Sequence, residues 1–271
     1  MNAAACDARA GRSATVMSRA LVAVWRVARL LVHLLHGMAA MALRFASLDT
    51  AGRHALVQWW SAKLLRLFGI DLTVHGQPRA GATLWVANHV SWLDIAVIHA
   101  AAPQARFVAK SDVKHWPLLG WLVTGAGTLF IERQSKRDAL RVVHQIADAL
   151  RAGDVVAVFP EGTTGAGPTL LAFHANLLQA AIATATPVQP LVLRFHQPGQ
   201  VFSTAVEFVG RTTLLQSLWR VARARGLGVQ LQWLPAQASA GADRRSLAAA
   251  LHASIARALA AQPAAPKTHA P

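Results

Sequence analysis

Several features that define common classes of protein are scarce or missing in this sequence. Its 271 residues include one cysteine, Cys6, which excludes an internal disulfide framework and a cysteine-rich metal site. The sequence also has no P-loop, no metal-ligand cluster and no helix-turn-helix, zinc-finger or RNP-like signature. We therefore expect no bound metal or cofactor, and no nucleic-acid partner.

Acidic residues are few as well. Twelve Asp and Glu stand against 27 Lys and Arg, so the formal charge is +15, while 54% of the residues are hydrophobic. A chain that is both basic and apolar is typical of a protein at an anionic membrane surface. The length suits one large domain, which we place at residues 69–262 behind an N-terminal attachment.

The N-terminal region has no long uninterrupted apolar run. Residues 1–15 are small or polar without periodicity, so we expect a disordered tail, and a second flexible tail at residues 263–271. The longest stretch without Arg, Lys, Asp or Glu runs only from Leu30 to Leu43, short of the roughly 20 residues that a membrane span needs. Residues 16–68 are therefore expected to form a helical anchor that lies in the membrane interface.

Four basic residues in the same region are spaced as on one face of a helix, and we call them the basic stripe. Steps of three, four and three residues put its members on one helical face: Arg26, Arg29, His33 and His36. On an interfacial helix they would point toward lipid phosphates. Packing of the same helix on its own domain and a tilted span are the alternatives. Trp59 and Trp60 fit either an interface belt or the core.

The stretch Asn88–Asp94 carries the clearest chemical signal. It follows Thr83–Val86, a β-branched and aromatic run that predicts a buried strand. Ser91 can cap a following helix, with Asp94 at the acidic position of a capping box. His89 would then stand in the turn, where Asp94 can fix its tautomer and leave the other ring nitrogen free as a base. The plainer alternative is that Asp94 only caps the helix.

Two later strand ends carry further candidates. Arg133 ends a short strand at residues 130–131, where its planar fork could hold a phosphate. Glu161 follows the apolar strand at residues 155–159 and could orient a polar headgroup or the base, while Gly162 allows close backbone approach. The alternatives are a solvated loop arginine and an ordinary Pro-Glu-Gly turn.

Taken in order, these stretches resemble the glycerophospholipid acyltransferase family, which includes the bacterial 1-acylglycerol-3-phosphate acyltransferases. The resemblance covers about residues 88–195 and rests on six stretches, at residues 88–94, 108–110, 117–121, 127–133, 159–163 and 188–190. It implies a mixed α/β sheet flanked by helices and preceded by a helical membrane anchor. It also implies acyl transfer from a thioester, acyl-CoA or acyl carrier protein, to a lysolipid hydroxyl, first of all that of 1-acylglycerol-3-phosphate.

The same resemblance implies a role for each matching residue. His89 would be the general base and Asp94 would orient it. Contacts to the acceptor are implied for five others: Lys110, Arg133, Glu161, Gly162 and Thr163. Since no Gly-x-Ser-x-Gly elbow and no paired Cys and His supply a nucleophile, direct one-step transfer is the simpler mechanism. We expect the enzyme at the cytoplasmic face of the inner membrane.

Two departures from the family pattern keep the acceptor open. Thr164 stands where the family often has a basic residue, and the segment Phe173–Asn176 lacks the family's Lys and Gly. With fewer cations available for a phosphate monoester, an aminolipid such as lyso-ornithine lipid is an alternative acceptor. A non-catalytic membrane-surface protein and a lipid hydrolase are rival functions.

Overall fold

The computed structural model describes residues 3–115, 119–125, 127–131 and 136–261. The expected tail at residues 263–271 lies outside the described residues. Within them, the apolar runs of the sequence form the strands of one sheet, and the amphipathic segments form helices on both of its faces. The predicted fold class, a mixed α/β sheet with flanking helices, is confirmed.

The described residues form a seven-stranded sheet in the order β1-β7-β6-β2-β5-β3-β4. All neighbouring strands run parallel except the antiparallel pair β6 and β7. The strands are β1 (Ile70–His75), β2 (Thr83–Ala87), β3 (Ala105–Lys110), β4 (Leu129–Ile131), β5 (Val155–Val158), β6 (Val188–His196) and β7 (Leu227–Trp233).

Helices cover both faces of this sheet. They are α1 (Ala3–Arg44), α2 (Thr50–Phe68), α3 (Leu93–Ala101), α4 (Leu119–Gly125), α5 (Lys136–Arg151), α6 (Gln179–Ala183), α7 (Leu214–Arg223) and α8 (Arg244–Ala260). One core cluster joins α1, α2, α3 and α7 to the sheet through residues such as Leu30, Phe68 and Val97. The cluster on the opposite face joins α5, α6 and α8 through residues such as Ile146 and Leu251. The N-terminal helices therefore share a core with the sheet.

Strands β2 and β5 lie side by side at the centre of the sheet. Every residue of both strands is buried, as expected for parallel strands with helices on each face. The pairing of Val86 with Val158 brings their carboxyl ends to the same edge. Residues that follow the two strands in sequence, from Asn88 and from Phe159, consequently lie next to each other.

Residues 205–209 follow β6 without forming a strand, although Val206 is fully buried. Both edges of β6, the strand that precedes this segment, are already paired, with β2 and β7, so the segment cannot add a strand beside it. Instead it crosses the carboxyl end of the sheet, where the Phe208 amide donates to the Val90 carbonyl at 3.3 Å.

Helix α1 begins at Ala3 and runs through part of the segment, residues 1–15, for which the sequence predicts a disordered tail. The absence of apolar periodicity suggested disorder. However, alanine has the highest helix propensity, and this segment contains six alanines, at positions 3, 4, 5, 8, 10 and 14. Backbone propensity thus extends the helix beyond its apolar part.

The basic stripe of α1 does not form the outward face predicted for it. Arg26 donates to the carbonyl oxygens of Ala222, in the last turn of α7, and of Ala224, just after it, at 3.0 and 2.6 Å. His33 is 2% exposed and stacks on Trp60 at 5.1 Å. Arg29 and His36 stay exposed at the border of the buried face. The stripe turns inward because Ala23, Leu30 and Gly37, on the same helical face, are buried against the domain.

The outward face of α1 is apolar instead. Six large side chains on it are each between 57% and 68% exposed: Leu21, Val24, Trp25, Leu31, Val32 and Leu35. By length and composition, the segment Ala20–Arg44 is also long and apolar enough to cross a membrane. The structure thus gives this chain an apolar helical surface, where the sequence predicted a basic one.

Candidate active site

His89 and Asp94 come together in the turn between β2 and α3. His89 Nδ1 lies 2.7 Å from Asp94 Oδ2, and Asp94 is fully buried. A continuous helix would have placed residues five apart about 140° from each other. The turn removes that separation because α3 begins only at Leu93.

One oxygen of Asp94 accepts three hydrogen bonds. Besides His89 Nδ1, the main-chain amides of Val90 and Ser91 donate to Oδ2, at 2.7 and 3.0 Å. Trp92, and not Ser91, occupies the N-cap position, and the Ser91 hydroxyl makes only a long contact of 3.4 Å to the Leu93 amide. Asp94 therefore stabilises the turn and holds the imidazole at once, so the two alternatives drawn from the sequence are compatible.

Asn88 ties this turn to the sheet. Its side-chain amide donates to the Leu193 carbonyl at 2.9 Å and accepts from the Leu193 amide at 2.8 Å. Because Leu193 belongs to β6, the turn is held on the side away from β5. Asn88 was not among the site residues predicted from the sequence, although a polar residue directly after a buried strand is a signal for such a contact.

Glu161 lies directly behind His89. Its Oε1 accepts from the His89 main-chain amide at 2.7 Å, and its Oε2 accepts from the Leu171 amide at 2.8 Å. The side chain is buried, and burial raises the pKa of its carboxyl group, while the two amide donors act in the opposite direction. Both oxygens thus have main-chain donors, which differs from the headgroup contact that the resemblance implies for this residue.

Phe159 packs on the face of the catalytic candidate. Its ring is stacked on the His89 imidazole with centroids 4.0 Å apart and planes 14° apart. Phe107, which belongs to β3, lies nearly parallel to Phe159 with ring centroids 6.0 Å apart. The ring of His99 meets Phe107 edge-on, with centroids 4.9 Å apart. The stacking of Phe159 on His89 was not predicted from the sequence, since it depends on β5 lying beside β2.

The second ring nitrogen of His89, Nε2, faces away from Asp94. Because the Asp94 carboxylate accepts a hydrogen bond from Nδ1, Nδ1 carries the proton of the neutral ring. The lone pair of Nε2 is therefore free. Within the described part of the chain, Nε2 has no hydrogen-bond partner, and the His89 side chain is 19% exposed. Such a nitrogen can take a proton from a hydroxyl group that enters the site.

The other predicted site residues have different positions. Gly162 has a left-handed φ of +71° that lets the chain turn after Glu161, and Thr163 is exposed on the same turn. Lys110 ends β3, two strands from β2, and its side chain lies outside the described residues. Arg133 also lies outside the described residues. In the described ranges, no group of three or more His, Cys, Asp or Glu could hold a metal ion.

Comparison with known proteins gives a consistent set of relatives. Residues 71–194 match the sequence model of the Acyltransferase family. The chain is 39% identical over 196 residues to a lyso-ornithine lipid O-acyltransferase of Pseudomonas aeruginosa, a match that covers 72% of this chain and 75% of that protein. It is 34% identical over 189 residues to a 1-acyl-sn-glycerol-3-phosphate acyltransferase of Neisseria gonorrhoeae, covering 69% and 73%.

A solved structure has the same fold. The 1-acyl-sn-glycerophosphate acyltransferase of Thermotoga maritima superposes with a TM-score of 0.70 at 18% identity. The superposition covers 92% of this chain and 99% of that one. At this identity, the likeness concerns the arrangement of helices and strands alone.

Proposed function

Because the chain belongs to the Acyltransferase family, we propose that it transfers a fatty acyl group from an acyl thioester to the hydroxyl of a lysolipid. The single observation that carries the mechanism is the 2.7 Å contact of His89 Nδ1 with the buried Asp94, which leaves Nε2 open. A lysolipid hydroxyl is a weak nucleophile at neutral pH, and a base at this position removes that obstacle.

The reaction follows from the orientation of this pair. His89 Nε2 takes the hydroxyl proton as the oxygen attacks the thioester carbonyl, and Asp94 stabilises the imidazolium that forms. The C–S bond then breaks, and the thiolate leaves with the proton from Nε2. A positioned base contributes roughly 10²- to 10⁴-fold, and the alignment of both substrates and oxyanion stabilisation supply the rest.

A transfer assay tests this function. Purified protein is incubated with labelled acyl-CoA and a panel of lysolipids, beside the His89→Ala variant. We expect acylated product from the wild type and a loss of at least about 10²-fold in the variant, with an unchanged melting temperature. Near-normal turnover by the variant would reject His89 as the base. Fatty acid release without an acceptor would indicate a hydrolase, and no product with any donor would favour a non-catalytic membrane protein.

The acceptor has two candidates. The resemblance favours 1-acylglycerol-3-phosphate, and the Neisseria relative carries that name. A specific observation favours lyso-ornithine lipid, the substrate in the name of the Pseudomonas relative. Thr164 replaces the cation common in the family, and its hydroxyl donates to the Phe208 carbonyl and so does not face a ligand. The ratio of kcat/KM for the two acceptors distinguishes them.

The acyl donor is proposed as acyl-CoA or acyl carrier protein. Both present the same thioester carbonyl, so the His89 chemistry applies equally to each. A competition assay with both donors at equal concentration, and with acyl chains of the same length, identifies the preferred one. If acyl groups are transferred from only one of the two donors, that donor is the substrate.

We place the enzyme on the cytoplasmic face of the inner membrane, with the apolar face of α1 against the lipid. A helix that crossed the bilayer would be surrounded by lipid or by other spanning helices. Along the same stretch, however, Ala23, Leu30 and His33 are buried against the domain. The six exposed apolar side chains opposite them can still enter the interface, which supports a helix that lies on the membrane.

A further inference from the structure

Phe159 and Glu161 follow β5, and both contact the histidine that follows β2. We propose that they are positioning residues for His89, which set the rate of proton transfer and leave acceptor affinity unchanged. This inference rests on the proposed function. It assigns to both residues a role different from the headgroup contact that the family resemblance implies for their stretch.

The Phe159 ring restricts a rotation of the His89 imidazole that the contact with Asp94 leaves possible. A hydrogen bond at Nδ1 fixes one edge of the imidazole but allows the ring to pivot about that bond. A flat ring at 4.0 Å and 14° blocks the pivot on one face. Phe159 is itself held, because Phe107 is 2% exposed and lies parallel to it. An aromatic face also attracts the imidazolium that forms during transfer.

Glu161 holds the main chain of the same residue. Its Oε1 accepts from the His89 amide at 2.7 Å, and the Gly165 amide donates to the His89 carbonyl at 2.7 Å. The segment after β5 therefore forms hydrogen bonds with both the amide and the carbonyl group of His89. The second oxygen, Oε2, is bound to the Leu171 amide at 2.8 Å, which leaves the carboxylate with a donor on each oxygen.

Steady-state kinetics separate positioning from acceptor binding. For Phe159→Leu we expect kcat to fall about 10-fold with an unchanged KM for the lysolipid, since small misplacements of a base cost up to about 10²-fold. Phe159→Tyr keeps the ring and should retain kcat within about threefold. The control is Phe45→Leu, which removes a ring that packs under the Arg53 guanidinium at 5.2 Å between α1 and α2, and it should leave both constants unchanged.

Glu161→Gln tests the main-chain contact. A carboxamide has one acceptor oxygen, so one of the two amides loses its partner, and we expect kcat to fall at least about 10-fold at constant KM. Asp154→Asn is its control, because Asp154 precedes the opposite end of β5 and pairs with Arg106 at 2.5 Å. A raised KM with normal kcat in Glu161→Gln would assign Glu161 to the headgroup and overturn the proposal.

A spectroscopic measurement keeps the inference independent of activity. A ring stacked on His89 shifts the imidazole Hε1 resonance upfield, and that resonance is assigned by its loss in His89→Asn. We expect Phe159→Leu to remove the upfield shift, and Phe45→Leu to preserve it. An unchanged His89 resonance in Phe159→Leu overturns the stacking role even if the variant loses activity. If the wild type transfers no acyl group to any acceptor, the proposed function fails, while this resonance still decides the position of the ring.

Discussion

Replacing Asp94 with Asn separates the charge of this carboxylate from its geometry. Three N–H groups converge on Oδ2, from His89, Val90 and Ser91, and the two main-chain amides can only donate. The carboxamide oxygen must therefore take the place of Oδ2, with the NH₂ group in the place of Oδ1. The turn keeps its shape, but the partner of His89 becomes neutral.

The size of the effect follows from the contact distance. An imidazolium and a carboxylate about 4 Å apart attract each other by about 4 kcal/mol at an effective dielectric constant of about 20. Because this attraction exists only after His89 has taken the proton, its loss raises the barrier. A loss of about 3–5 kcal/mol corresponds to a fall in kcat of roughly 10²- to 10⁴-fold.

Initial rates at saturating acceptor measure this effect in three variants, Asp94→Asn, His89→Ala and the double variant. Both single changes disable the same base, so the double variant should be no slower than His89→Ala by more than about threefold. Melting temperatures serve as the folding control. The reasoning is refuted if Asp94→Asn keeps more than about a tenth of the wild-type kcat, or if the two losses multiply.

Two further predictions concern acid stability and membrane binding. Burial lowers the pKa of His99 from 6.5 to about 4, so the fold favours the neutral ring. The contribution of the neutral His99 ring to the unfolding free energy is complete above pH 6.5. As the pH falls from 6.5 toward 4, that contribution, measured with urea, should drop by about 3 kcal/mol. His99→Phe should lose most of this pH dependence, and an equal slope in both proteins would contradict it. Leu31 and Leu35 are 58% and 59% exposed, so changing both to Glu should weaken flotation with anionic vesicles at least about tenfold without altering the melting temperature; unchanged flotation would remove α1 from the membrane contact.

Local patterns in the sequence predict strand β2 and the loop that carries His89. The run Thr83–Val86 predicts β2 because a β-branched and aromatic segment of that length fits a buried strand, and the structure adds only Ala87. Gly69 predicts the end of α2, and it occupies the left-handed cap there. The proximity of His89 and Asp94 also follows from local spacing once a turn precedes the helix.

Contacts between distant elements could not be predicted in this way. The stacking of Phe159 on His89 depends on β5 pairing with β2, and strand order is not encoded in any single segment. The outward orientation predicted for the basic stripe of α1 was wrong for a related reason. Periodicity correctly groups Arg26 with His33 on one face, but the partner of that face is the end of α7, about 200 residues later. Local periodicity predicts which residues share a helix face, but it does not predict which distant element packs against that face.

The position of β2 has a consequence for how this protein loses activity. With three strands on either side, β2 is the middle strand of the described sheet, and His89, the proposed base, follows its carboxyl end. Fraying of a protein starts at its periphery, here at β1 and β4, where openings need little free energy. Such openings leave the histidine in place. Heat or urea should therefore abolish turnover only when the whole fold collapses, and amide exchange should be slowest in the strand that bears the base.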